Sequence, residues 1–438
     1  MGLAKRDLVL AIIVFGSLPI ILKRPFWGIL LLAWLGYMNP HRLSYTFMYS
    51  MPVVQFVAIA TLAGMLMDKA AKRIVWSREV VLLVMFVAWM GLTTTQAFYF
   101  DAALVQYEKV VKIQILTFMT LLMLTSRNRV HLLIWAIVLS LAFYGVKGGI
   151  FTIAKGGVYR VQGPSNTFIG GNNELALALV MTIPLMRYLQ LHAKDGLVRL
   201  GLMAGMVLTA IAAVGTQSRG ALVALAVTGA IFWLKSRNKI VTGVLILVAG
   251  LAALSIMPDT YFERMNTIQT YDQDASAQGR INAWWTAWHL ANDRIFGGGF
   301  ETWEATVFQR YAPDPENVRD VHSIYFEVLG EHGWPGLILF LSLLGFTWMK
   351  CSSVIRHAKR NPEALWARDL AAMIQVSMVA YMSAGAFLGL AYFDYIYHLV
   401  AVVVVVHQLA VIESKNESGV SRSMPDAVVP AVRLNVSL

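Results

Sequence analysis

What most limits this chain is the return, along nearly its whole length, of apolar runs long enough to cross a hydrocarbon layer of roughly 30 Å. They fall at 7–22, 25–38, 52–67, 79–98, 109–124, 131–150, 173–190, 198–214, 219–234, 240–257, 323–349, 370–390 and 393–412. In lipid no water is available for the backbone, so each run must close its own hydrogen bonds as a helix. Composition agrees: 58% of residues are hydrophobic and 14% charged, with a mean hydropathy of +0.61, against the ~25% charged residues of a globular domain. The expected fold is an all-α polytopic membrane protein of about twelve or thirteen transmembrane helices. A large loop outside the membrane should carry amphipathic helices.

The basic residues set the expected orientation. Lysines and arginines gather at 68–79, 125–130, 191–199, 235–239 and 350–369, and alternation puts all five segments on the cytoplasmic side. The loops near 99–108, 151–172, 215–218, 258–322 and 391–392 then face outward. The amino terminus resists this scheme. Lys5-Arg6 and Lys23-Arg24 flank one short run and cannot both be inside if it crosses, so residues 7–38 read either as two spans or as a bent pair. The net charge of +11 is accounted for by the inner loops and calls for no nucleic acid. A single cysteine, Cys351, excludes an intrachain disulfide and a cysteine-ligated metal. No cleavable signal is evident at residues 1–22. The stretch Glu413–Leu438 lacks an apolar stripe and reads as a disordered cytoplasmic tail.

Between the apolar runs lies a polar island, Pro258–His322, with ten Asp/Glu, five Arg and no Lys. Three groups stand at the outer ends of different spans: Arg219 in Gly215-Thr-Gln-Ser-Arg-Gly220, Arg280 in Gly279-Arg-Ile-Asn-Ala-Trp284, and His322. Arginine suits a diphosphate because its planar fork makes paired bonds to phosphate oxygens and keeps its charge. Histidine can take a proton at neutral pH. Each has a plainer reading: Arg219 reaching headgroups from a span's end, Arg280 solvated beside a tryptophan stripe, His322 capping a helix. That stripe is Ile281, Trp284, Trp285 and Trp288, spaced as on one face of an amphipathic helix lying in the outer interface. After His322 come Ser323, a helix starter, then Glu327, Glu331 and His332, ionisable groups in or near a span. Gly333, Pro335 and Gly336 should break that helix about three turns in. A Gly/Asn/Pro loop at 156–174 adds Arg160 as a third phosphate candidate. Gly297-Gly-Gly299 reads as a turn, not a nucleotide cradle, and Gly201-x-x-x-Gly205 as a weak helix-packing motif.

His322-Ser323, nine residues, then Gly333-x-x-Gly336 resembles the signature of the O-antigen ligase and polymerase superfamily, and Gln217-Ser-Arg-Gly-Ala-Leu222 is similar to its outer-face arginine motif. Tyr37-Met-Asn-Pro-His-Arg42, Phe143-Tyr-Gly-Val-Lys-Gly-Gly149, the stretch 265–276 and Arg280-Ile-Asn-Ala-Trp-Trp285 resemble the O-glycosylation ligases associated with exosortase A systems. The resemblance covers about residues 1–412 and divides them at about 150, an N-terminal membrane region followed by the ligase-like domain.

It implies an inverting, metal-independent glycosyltransferase without cofactors, in the bacterial inner membrane. The glycan would pass from undecaprenyl diphosphate to a hydroxyl on a protein, lipid or glycan acceptor at the periplasmic face. By position, His322 would be the general base or the group that orients the acceptor, and Arg219 and Arg280 would hold the diphosphate and stabilise its leaving charge. Arg160, Ser323, Glu327 and Trp284 would complete the binding of lipid diphosphate or acceptor. A polymerase of the same superfamily fits these residues as well. A lipid-glycan transporter fits less, since it should carry charges near the midplane and repeated broken helices.

Overall fold

The computed structural model describes residues 5–68, 76–236, 238–259, 261–262, 275–358 and 362–422. The fold is all-α, and every apolar run lies on a helix. The helices are α1 (Lys5–Lys23), α2 (Pro25–Tyr37), α3 (Phe47–Ser50), α4 (Val53–Met67), α5 (Arg78–Thr95), α6 (Phe100–Met123), α7 (Arg127–Ala154), α8 (Asn172–His192), α9 (Gly196–Gly215), α10 (Arg219–Lys235), α11 (Lys239–Ser255), α12 (Ala275–Asp293), α13 (Ala305–Tyr311), α14 (Ile324–Ala358), α15 (Leu365–Gly385) and α16 (Asp394–Arg422). Among the described residues, six helices (α5, α7, α8, α9, α14 and the first part of α16) are long and apolar enough to cross a membrane by length and composition alone.

At the centre stand α8 and α16, whose apolar windows are each 72% buried. Val402 to Val406 are all nearly inaccessible. Such a β-branched run would favour a strand in water; without water to satisfy the backbone it stays helical. The periphery is the reverse: α11 exposes Ile240, Leu245, Leu247 and Leu251 and buries Ala253, as a lipid-facing helix does.

The basic segments meet at one end of the bundle. Lys350 Nζ reaches Glu79 Oε2 at 2.6 Å, Lys235 Nζ donates to Gln375 Oε1 at 2.6 Å, His192 faces Asp369 at 3.4 Å, and Arg127 lies over Trp366. Lys69, Lys72, Arg73, Arg237, Lys359 and Arg360 fall outside the described residues. The described part of the polar island from Ala275 to His322 lies at the opposite, roofed end. Asp7, at the start of α1, accepts from the amides of Tyr45, Thr46 and Met48, while Gly64, near the end of α4, abuts the carbonyls of Ile21 and Leu22. So α1 and α2 are antiparallel, with Lys5-Arg6 toward the roofed end and Lys23-Arg24 toward the basic one; α2, with 13 residues, is among the shorter apolar helices.

Three expectations change. Residues 100–108 are not loop but the first turns of α6. The last helix runs through Arg422, past Glu413, where the composition reads as tail; residues 423–438 lie outside the described residues. Finally, Gly201 and Gly205 have no atom within 4 Å of where a Cβ would be. Close packing falls instead to Gly145 and Gly149 on α7, where a Cβ would stand 2.2 Å from Thr209 Oγ1 and 2.3 Å from the Leu208 carbonyl, a small-x-x-x-small contact against α9.

Candidate functional site

At the roofed end, Arg219 and Arg280, 61 positions apart in the chain, line one cavity of about 80 Å³. One water needs only ~10–15 Å³ by this kind of measure. Asn173, Ser218, Gly220, Ala221, Ala277, Ala384, Phe387 and Leu388 complete its wall. Asn173 belongs to the first turn of α8 and Arg219 to that of α10, so the N-termini of two helices meet here, with Ala277 and Arg280 of α12 on the facing wall. A helix N-terminus carries partial positive charge and amide donors without intrahelical acceptors. Together with the two guanidinium groups that line the cavity, this arrangement is chemically suited to an anion.

The turn that presents Arg219 is fixed from several sides. Ser218 caps α10 by accepting from Ala221 N at 3.2 Å. Asn172 Nδ2 donates to Thr216 O at 2.9 Å, Gln217 Nε2 to Gly157 O at 2.9 Å, and Val161 N to Gly215 O at 3.0 Å. Gln217 itself takes a positive φ of 56°. Arg160 Nε donates to Gln217 Oε1 at 3.4 Å. It thus braces the turn and does not line the cavity.

On the other wall, α12 splits its faces. Ala283, Ala287 and Leu290 are fully buried, Trp285 and Trp288 are 50% and 41% exposed, and Trp284 turns into the protein. Its ring stacks on Phe326 at 5.2 Å and leans on Phe387, part of the cavity wall, at 6.4 Å. The stripe is therefore no uniform interfacial face. Ile281, Trp284, Trp285, Trp288 and Phe326 form an apolar groove of about 450 Å³ beside the cationic cavity.

Trp284 also ties the arginine to the histidine. Its Nε1 donates to Val321 O at 2.8 Å, and the buried Val321 side chain packs with Ala283 and Phe308. One helical turn before Trp284 is Arg280; one residue after Val321 is His322. Asn282 strengthens the joint, donating to Asp314 O and Asn317 O at 2.8 and 3.1 Å and accepting from Asp314 N at 2.9 Å. His322 has φ +43° and is 40% exposed, with Nδ1 3.4 Å from Asp320 Oδ2. It borders the cavity wall through its neighbours and is not itself part of the lining.

Ser323 and Glu327 face elsewhere. Ser323 is 1% exposed, directly before the start of α14, and its carbonyl accepts from Glu327 N at 2.7 Å. Glu327 Oε2 accepts from Ala391 N at 2.9 Å, which holds the 386–393 loop that supplies Phe387 and Leu388.

The break expected in α14 falls at Gly333, with φ 64° and ψ −173°. Pro335 has no amide for the carbonyl of Glu331. Gly299 N supplies one at 2.9 Å, Gly298 N bonds Gly330 O at 2.8 Å, and Trp89 Nε1 bonds His332 O at 2.8 Å. This is the role of Gly297–Gly299: a Cβ on Gly297 would sit 2.6 Å from Gly330 O. Behind the break, Glu331 accepts from Tyr392 Oη at 2.6 Å and from Glu301 N at 3.3 Å, and His332 Nδ1 meets Thr93 Oγ1 at 2.7 Å. Burial, with Glu331 beside it, holds the Tyr392 hydroxyl well above the usual tyrosine range, so it stays a donor.

Asn173 comes from the 156–174 loop that the sequence singled out. Sequence reasoning missed Asp320, Phe387, Leu388 and Tyr392, which carried no signal. The motif at 265–274 lies outside the described residues.

Comparison with known proteins gives two family matches. Comparison with curated proteins gives no match. Residues 5–194, with Arg160 and Asn173, match a family of unknown function (DUF5935). Residues 204–341, holding Arg219, Arg280, His322 and the break at Gly333, match the O-antigen ligase family. The chain is thus a polytopic membrane protein whose residues 204–341 match the O-antigen ligase family.

Proposed function

We propose that the protein is a glycosyltransferase of O-antigen ligase type, moving a glycan from undecaprenyl diphosphate to an acceptor hydroxyl at the periplasmic face of the bacterial inner membrane. The observation that carries this reading is the meeting of Arg219 and Arg280 in one cavity at converging helix N-termini, inside a chain matched by the ligase family. A diphosphate leaving group gains charge as its bond to the sugar breaks, and fixed donors aimed at that charge lower the barrier. His322, half-exposed and joined to Arg280 through Val321 and Trp284, takes the proton of the acceptor hydroxyl. A single direct displacement inverts the anomeric carbon. The C-terminus lies in the cytoplasm, where the basic loops belong. Resemblance to the exosortase-associated ligases makes sorted surface proteins the first acceptors to test, ahead of lipid or glycan.

The test restores a deletion strain with wild type, Arg219→Ala, Arg280→Ala or His322→Ala at matched membrane levels and follows lipid-linked and surface glycan. Full-length glycan stranded on its lipid in all three mutants supports the ligase. Single repeat units instead indicate a polymerase of the same superfamily. Donor that never reaches the outer leaflet indicates transport, and unchanged transfer removes these residues from the chemistry.

A further inference from the structure

We propose that Asp320 is the positioning residue of His322, holding the imidazole so that Nε2 is the nitrogen that takes the acceptor's proton. This inference rests on the reading of His322 as base. Val321 fixes the geometry, since its side chain is fully buried and its carbonyl accepts from Trp284 Nε1 at 2.8 Å, so the residues on either side are presented from one anchored point. His322 adopts φ +43°, a region costly for a residue with a Cβ and kept only where the surroundings impose it. In that conformation Nδ1 stands 3.4 Å from Asp320 Oδ2, with the two side chains 40% and 57% exposed.

A neutral imidazole has one donor and one acceptor nitrogen, and a carboxylate beside Nδ1 selects the form with the proton there, leaving the Nε2 lone pair for the substrate. In the transfer, the acceptor's O–H proton goes to Nε2 and its oxygen bonds to the anomeric carbon. The bond from that carbon to the diphosphate oxygen breaks, and the diphosphate leaves with the electron pair. Asp320 then faces an imidazolium, whose charge it offsets. It touches neither substrate and acts through His322.

The deciding experiment is a double-mutant cycle on the full chain. Wild type, Asp320→Asn, His322→Ala and the double variant are compared in membranes of the deletion strain, which hold the endogenous lipid-linked glycan and acceptor, and initial transfer rates are measured. Asp320→Asn should slow transfer about fivefold, the reach of a well-exposed ion pair, and His322→Ala by about 100-fold or more. The double variant should be no slower than His322→Ala alone, and Asp320→Glu should recover most of the rate. Binding of added undecaprenyl diphosphate to the purified protein should be the same in Asp320→Asn as in wild type. A further fivefold loss in the double variant, an unchanged rate in Asp320→Asn, or a loss traced to diphosphate affinity overturns the role of Asp320 and leaves the base assignment standing. A wild-type rate in His322→Ala overturns the base assignment, and the role of Asp320 with it.

Discussion

Two polar clusters lie at the roofed end of this protein, and they use polar groups for opposite purposes. At the break of α14, donors and acceptors are turned on each other: the carbonyls of Gly330, Glu331 and His332 take the amides of Gly298 and Gly299 and the Trp89 indole, and Glu331 takes Tyr392 and Glu301. At the cavity, Arg219 and Arg280 line the wall together, with the N-termini of α8 and α10 at it. The first arrangement is the satisfied interior that lipid demands; the second gathers guanidinium groups and helix N-termini where an anion would sit, the role we propose for it. One sequence signature spans both, with His322 joined to the Arg280 helix through Val321 and Trp284, and Gly333 and Gly336 at the break.

That contrast makes the two clusters separable by mutation. The largest effect is expected at the cavity. Arg280→Ala should lower transfer by about 10²–10³-fold, the loss of one preorganised donor, while the yield of folded protein by size exclusion in detergent stays at wild type. A loss of yield that accounts for the whole defect would erase the distinction. Next comes Gly333→Ala, where a Cβ would meet Ile295 O at 2.1 Å with φ at 64°. Strain and clash together should cost about 3 kcal/mol or more, read as a lower thermal midpoint with turnover per folded molecule retained. Tyr392→Phe should cost about 1–3 kcal/mol by leaving Glu331 without its hydroxyl donor, again in stability and not in undecaprenyl diphosphate affinity. The smallest effect belongs to Trp285→Ala on the exposed side of α12, within about 0.5 kcal/mol. A midpoint shift as large as that of Trp284→Ala would contradict the two-faced helix.

Much of the fold was legible because lipid reduces the alphabet of structure to helices and charge marks their ends. The thirteen apolar runs found helices, and the basic loops share one end through contacts such as Lys350–Glu79. Arg219, Arg280 and His322 could be named because arginine and histidine at the polar ends of spans stand out from their apolar surroundings. Asp320 did not stand out, being one of ten acids in the island until the joint at Val321 gave it a partner. Phe387 and Leu388 could not be seen, because an apolar residue in a short loop between spans has nothing to distinguish wall from lipid face. The glycines at 297–299 were read as a turn because their purpose is set by carbonyls more than thirty positions away. Glu327 looked like a ligand because a carboxylate near a span is costly, and that cost is met instead by the amide of Ala391.

The splice between Gly297–Gly299 and Gly330–Gly333 also bears on heredity. Gly297 and Gly333 are the pair that fits one stretch to the other: a Cβ on Gly297 would meet Gly330 O at 2.6 Å, and one on Gly333 would meet Ile295 O at 2.1 Å. A change at either should call for a matching change on the other side, so the two are expected to vary together across the roof that separates them. A chimera that exchanges roofs between relatives should therefore carry both stretches from the same parent.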